Sequence, residues 1–258
     1  MRARLLAAAA ASVITAGMLA GCVAGDVNSN ASSNTTADSS AAEISSPVNT
    51  NADQAVTMVG EYLKKNDPSA VLDADSFVSV ETNTRQGSSD TVITDWVTGE
   101  YDSGKTVDVL VNVKSGEIFT SAEWGKVESY CLDLAKNLYG ADSGSVSIAV
   151  TGILPRPYFA DSNVPGFGIP NMLPAGVTAD EEYIKALLAD GEYQLLYIIR
   201  ISDEVDISIF KDTDHSALGS NVQVHVEQYK KADFDALIAS DDILPEPLEI
   251  YDTSVLGN

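Results

Sequence analysis

The sequence predicts an α+β fold in which antiparallel meander sheets carry helices packed on one face. Segments whose apolar residues recur at helical spacing are followed by runs in which apolar and polar residues alternate. Short glycine-containing turns join the alternating runs, which favours antiparallel hairpins over parallel strands. Because the order of helix then strands occurs twice, the chain can be divided into two similar α+β halves, 51–120 and 121–258.

In the first half, a helix is predicted at about 52–65, ended by an Asn-Asp-Pro turn. β-Branched and aromatic residues then alternate in three runs, which predict strands at 77–80, 91–97 and 106–113. Gly99–Thr106 spells the P-loop pattern, but that motif needs a helix after its lysine. Since a strand is predicted there, we expect a hairpin turn and no nucleotide.

In the second half, helices are predicted at about 121–139 and 179–189, each after a capping-box spelling, Thr120–Glu123 and Thr178–Glu181. A short last helix is expected near Asp233. Strands are predicted at 145–150, 193–201, 205–210 and 222–226. The run Ser208–Lys211 spells the S-x-x-K of penicillin-recognising enzymes, which place that serine at a helix start. A predicted strand and missing partner motifs argue against it.

The connection from Ile153 to Val177 contains five prolines and several aromatic residues, and no regular secondary structure is predicted for it. Connections of this length are usually functional or disordered, and disordered segments are poor in aromatic residues. Its apolar side chains either seal the core or form a binding surface. The candidate binding residues are Tyr158, Phe159, Phe167 and Met172.

The first residues predict where the protein works. A basic start at Arg2 and Arg4 and an apolar run precede Leu19-Ala-Gly-Cys22, as in a secretory signal over 1–21. The run is shorter than the roughly 20 apolar residues of a membrane span. Leu19–Cys22 resembles the lipobox of bacterial lipoproteins. That resemblance implies lipidation of Cys22 and attachment of the protein to the membrane outside the cytoplasm.

Residues 22–50 are rich in serine, asparagine and threonine. Such a segment buries too little apolar surface to offset the loss of chain entropy, so we expect a disordered tether. A coil of this length spans roughly 30 Å.

The balance of charge excludes one class of partner. The chain has 15 Lys+Arg against 38 Asp+Glu, a formal net charge of −23. A surface of this sign repels phosphate backbones, so nucleic acid is not expected as a partner.

Few residues suit metal binding or nucleophilic catalysis. Of the two cysteines, Cys22 is assigned to lipid, and Cys131 lies on the apolar face of a predicted helix, as a core thiol does. Asp212, Asp214 and His215 form a candidate site for a hard cation or zinc, although the spelling of a calcium loop is absent. No cofactor is expected.

The end of the first half, Asp108-Val-Leu-Val-Asn-Val-Lys-Ser-Gly-Glu-Ile118, resembles the close of PepSY-type modules of secreted bacterial proteins. The resemblance covers about 52–120. It implies an α+β binding or inhibitory module without catalytic residues.

These observations predict a lipid-anchored extracytoplasmic module that binds a protein or small ligand through 153–177 and the adjoining sheet, without catalysis. The alternative is an extracytoplasmic hydrolase, because paired catalytic carboxylates leave no spelling in a sequence. The solute receptor of an importer would show alternating βα units, which the sequence lacks.

Overall fold

The computed structural model describes residues 50–83, 91–140, 144–156, 167–240 and 245–256. The predicted signal, Cys22 and the predicted tether therefore lie outside the described residues, as do Tyr158 and Phe159. Residues 50–258 form one compact unit.

Helices and strands alternate along this unit. In chain order they are α1 (Thr50–Asn66), β1 (Val71–Asn83), β2 (Thr91–Asp102), β3 (Thr106–Asn112), β4 (Ile118–Thr120), α2 (Trp124–Tyr139), β5 (Val146–Arg156), β6 (Phe167–Pro170), β7 (Leu173–Pro174), α3 (Glu181–Asp190), β8 (Gln194–Ser202), α4 (Ser208–Lys211), a 3-10 helix (His215–Leu218), β9 (Asn221–Tyr229), α5 (Lys231–Ala239) and β10 (Glu249–Leu256).

The strands form two five-stranded sheets, so the α+β prediction is confirmed. Sheet 1 has the order β1-β2-β3-β4-β7, and all of its pairs are antiparallel. Sheet 2 has the order β10-β9-β8-β5-β6 and contains one parallel pair, β8 with β9. Each predicted half supplies most of one sheet, but β7 of the second half pairs with β4 of the first.

One face of sheet 1 packs against α1. The helix buries Ala55, Val59 and Leu63 against alternate residues of β2 and β3, such as Val97 and Val109. This packing follows from the period-2 alternation of the strands and the 3.6-residue period of the helix, which place these side chains on facing surfaces. The Gly99–Thr106 segment spans the β2–β3 hairpin, so the expected turn is found there.

The main core lies between the other face of sheet 1 and the inner face of sheet 2. Trp96, Leu110 and Phe119 reach it from sheet 1, and α2 and α3 contribute their apolar faces. From sheet 2, the inner residues are the odd-numbered positions of β8 and the even-numbered valines of β9. Both predicted helices of this half are therefore core helices, as their periodicity indicated.

A close contact between α2 and β5 sets the distance of the helix from sheet 2. A Cβ atom placed on Gly152 would lie 2.0 Å from the ring atom Cη2 of Trp124. The indole thus occupies the space that any other side chain would need. Trp124 also stacks on Tyr193, with 6.5 Å between ring centroids.

Two predictions of secondary structure were wrong, and one strand was missed. Residues 205–210 form a turn and α4 instead of a strand, because β8 and β9 are parallel and need a crossover between them. Asp206 supports this turn by accepting a hydrogen bond from the backbone of Ser208 at 2.9 Å. Much of the 153–177 connection is extended, as the end of β5 and as β6 and β7. The last strand, β10, was not predicted.

The two capping boxes are also not formed as predicted. The helix α2 begins at Trp124, and its N-cap residue Glu123 makes no side-chain cap. Its carboxylate instead accepts a hydrogen bond from the backbone of Ala179 at 3.0 Å. The cap of α3 is Asp180, which accepts from the backbone of Tyr183.

None of the helices within the described residues combines the length and the apolar character needed to cross a membrane.

We expect Gly152→Ala to destabilise the protein by about 1–3 kcal/mol, because the added methyl group overlaps the buried indole of Trp124. Gly125→Ala is the matched control, since a Cβ at Gly125 in the same helix as Trp124 meets nothing within 4 Å. That change should stabilise the helix by about 0.5 kcal/mol. Urea denaturation of both variants measures the difference, and equal effects would contradict the close contact.

Candidate functional site

The described residues place two of the predicted binding residues in sheet 2 and the core. Phe167 opens β6 and pairs with Arg156 across the β5–β6 hairpin. Met172 is buried, and its carbonyl accepts a hydrogen bond from the hydroxyl of Tyr193 at 3.0 Å. A binding role for Tyr158 and Phe159, between these strands in the chain, stays a prediction.

The predicted metal ligands do not assemble into a metal centre. His215 is buried, and its Nδ1 lies 2.8 Å from the hydroxyl of Tyr139 in the core. Asp214 accepts a hydrogen bond from the backbone of Ser216 and caps the 3-10 helix, while Asp212 lies at the end of α4. Across the described ranges, no group of three or more His, Cys, Asp or Glu could hold a metal ion.

The core thiol is not placed for nucleophilic chemistry. Cys131 has an exposed fraction of 0%, and burial raises the pKa of its thiol to about 11. The neighbouring hydroxyl of Tyr197 lowers that pKa less than burial raises it. Since the thiolate is the nucleophile, a neutral buried thiol is inert. The prediction of a core cysteine is confirmed.

The outer face of sheet 2 carries a charged network that joins three strands. The Nε of Arg200 on β8 lies 2.9 Å from Oε2 of Glu227 on β9. The other carboxylate oxygen of Glu227 lies 3.2 Å from Nε2 of His225. Nδ1 of His225 in turn lies 2.6 Å from Oδ1 of Asp252 on β10. Strand register explains this order, because Arg200 faces Glu227 and His225 faces Asp252.

Two residues of this network, His225 and Glu227, have pKa values far from neutral pH. Hydrogen bonds to Glu227 and then to Asp252 raise the pKa of His225 to about 9, against the lowering effect of burial. Of these two hydrogen bonds, the one to Glu227 raises the pKa more, and Asp252 is 71% exposed. Burial raises the pKa of Glu227, but hydrogen bonds from His225 and Arg200 outweigh it and bring the pKa to about 2.

His225 and Glu227 are therefore both charged at neutral pH. A general base works best when its pKa lies near the working pH, and a histidine that is already protonated has no lone pair to accept a proton. The role that remains for Arg200, His225, Glu227 and Asp252 is structural and electrostatic. Their ion pairs hold β10 against β9 and place charge on the outer face of sheet 2.

A small hollow lies beneath α3. Tyr183, Ala186, Leu187 and Asp190 line it from one face of the helix, at the spacing of successive turns. Leu154, Pro174, Glu192 and Tyr193 complete the lining. The volume of the hollow is about 130 Å³. Most of its lining is apolar or aromatic, and two lining residues, Asp190 and Glu192, carry carboxylates.

Sequence reasoning missed both of these features. The charged network depends on β10, and on a parallel pairing that brings Arg200 beside Glu227. One signal was present, because His225 and Glu227 alternate with valines and so had to share the polar face of a strand. The hollow depends on side chains from four separate segments, which no local pattern connects.

Comparisons with protein-family models, with curated proteins and with solved structures returned no match for this chain.

We expect the ionised His225 to stabilise the fold at pH values below its folded pKa. Because the pKa is raised from 6.5 to about 9, this stabilisation is complete below pH 6.5 and is lost as the pH rises toward 9. The free energy of unfolding should fall by about 2 kcal/mol over this interval, less than the full shift implies because Asp252 is exposed. The difference between wild type and His225→Gln, measured by urea denaturation from pH 6 to 10, isolates this term. A constant difference would contradict the assignment.

Proposed function

We propose that this protein is an extracytoplasmic lipoprotein whose compact unit, residues 50–258, serves as a binding module without catalysis. The observation that carries the proposal is the basic start and apolar run that lead into Leu19-Ala-Gly-Cys22. A segment of this kind directs a chain to secretion, and its last four residues match the lipobox.

The anchor is the lipidated Cys22. A single acyl chain binds a membrane only marginally, whereas two or more chains hold a protein stably. The diacyl or triacyl cysteine that the lipobox implies meets this requirement. The polar segment 22–50 then serves as the tether between the membrane and the compact unit.

The states of the titratable groups favour binding over hydrolysis. His225 is protonated at neutral pH, and burial lowers the pKa of His215 in a position closed to substrate. Burial raises the pKa of the carboxyl group of Glu128 on α2, and no second carboxylate is among the causes of that shift. A hydrolase that works through two carboxylates needs an acid of raised pKa facing a second carboxylate.

The resemblance of 52–120 to PepSY-type modules supports the same class of function. The segment has the order α1 and then four strands, and its final hairpin contains the Ser-Gly-Glu turn that suggested the resemblance.

The partner-binding region is assigned to 157–166 and the adjoining strands β5 and β6.

We expect Cys22→Ser to move the protein from the membrane fraction to the soluble extracytoplasmic fraction, because the site of acylation is lost. Cys131→Ala is the matched control, since it removes the other cysteine and should leave the protein in the membrane pellet. Fractionation at high salt, followed by mass spectrometry of the N-terminus, measures both. Continued pelleting of Cys22→Ser would contradict the lipid anchor.

We expect Tyr158→Ser with Phe159→Ser to reduce capture of the binding partner by at least tenfold while thermal unfolding stays cooperative. The change stops short of residue 167, because Ile169 of β6 is fully buried. Val71→Ser with Val78→Ser is the matched control, since both valines are exposed on β1. Cross-linking of the full chain in its native envelope measures capture, and equal capture by the two double variants would remove 157–166 from the binding region.

A further inference from the structure

The hollow beneath α3 is lined by apolar and aromatic residues together with two acidic residues, Asp190 and Glu192. Leu154, Leu187 and Tyr193 of this lining are buried in the main core, and Tyr183 packs against that core. Asp190 is exposed at the end of α3 and is fixed there by the backbone of Glu192, which donates to its carboxylate at 2.7 Å.

The negative charge at the end of α3 comes from two side chains. The last turn of the helix contains no basic residue. Its final carbonyl groups accept hydrogen bonds from Ser220 and Asn221, so the charge left at this end is that of the carboxylates of Asp190 and Glu192. The carboxylates of Asp190 and Glu192 both act on the Tyr183 hydroxyl, and with burial they raise its pKa, so both lie near the wall of the hollow.

The size of the hollow limits what it can hold. A cavity needs roughly 15 Å³ to hold one water molecule, so a hollow of about 130 Å³ has room for a short alkyl chain. An ammonium group at the end of such a chain would be attracted to the two carboxylates and to a tyrosine ring. Cations bind to the faces of aromatic rings within about 6 Å of the ring centre.

We propose that this hollow binds a small primary alkylammonium ion, with its alkyl chain between Leu187 and Tyr193 and its ammonium group between Asp190 and Glu192. The proposal goes beyond the proposed function, because it adds a small-ligand site to a module whose partner-binding region is assigned to 157–166. An uncharged alcohol of the same length lacks the attraction to the carboxylates, and an alkyl carboxylate would be repelled by them.

The test uses n-butylammonium with the full chain in a non-ionic detergent, followed by saturation-transfer NMR of the ligand, with micelles alone as blank. We expect saturable binding in the millimolar range, several-fold weaker when the salt concentration rises tenfold. n-Butanol and butyrate should bind at least tenfold more weakly. Equal binding of n-butanol, or no saturable binding of n-butylammonium, would overturn the proposal.

Three variants locate the site. Asp190→Asn with Glu192→Gln should weaken binding at least tenfold, while Glu61→Gln with Glu81→Gln, which removes the same charge from α1 and β1, should leave it unchanged. Ala186→Phe places a ring over the hollow from an exposed position and should abolish binding without loss of fold, which circular dichroism checks. Undiminished binding by the first or third variant would overturn the proposal. If the hollow does not bind n-butylammonium, the proposal of a lipid anchor still stands, because the Cys22→Ser experiment tests that anchor separately.

Discussion

The approach of Trp124 to Gly152 is the contact on which the rest of the compact unit depends. Because Gly152 has no side chain, the indole lies against β5, and α2 packs close to sheet 2. Trp124 then stacks on Tyr193, and the hydroxyl of Tyr193 holds the carbonyl of Met172. Met172 precedes β7, the strand that pairs with β4 and completes sheet 1. The close approach at Gly152 thus starts a series of buried contacts that joins α2, sheet 2 and sheet 1. Loss of close packing at buried groups lowers the stability of a protein.

One face of β9 packs in the core, and its other face carries charged residues. Its valines at 222, 224 and 226 enter the main core, whereas His225 and Glu227 face outward. On the outer face, Arg200 and His225 each pair with a carboxylate in a chain whose net charge is −23. Positive charge is scarce in such a protein, and placing it on β8 and β9 offsets the repulsion between the carboxylates of Glu227 and Asp252.

Local patterns in the sequence predicted every described α-helix except α4, and most strands, because amphipathic periodicity is fixed by a few neighbouring residues. They failed where partners distant in the chain decide the structure. Val205 to Phe210 alternate as a strand does, but the parallel pairing of β8 with β9 requires a crossover at that point. The strand β10 follows Pro245 and Pro247 and was missed, since its pairing with β9 has no local signal. The charged network needs β10, so it could not be predicted before that pairing was known.

The hollow follows from the same contacts that order the core. Tyr193 is held by Trp124 on one side and by the carbonyl of Met172 at its hydroxyl, so its ring cannot move to fill the space beside Leu187. The helix α3 is fixed separately, by the cap of Asp180 and by its buried face. A gap between two fixed surfaces persists, whereas a gap beside a mobile side chain would collapse. With Asp190 and Glu192 in its lining, the gap combines apolar surface with negative charge, and this combination suits a ligand with an apolar chain and a cationic end.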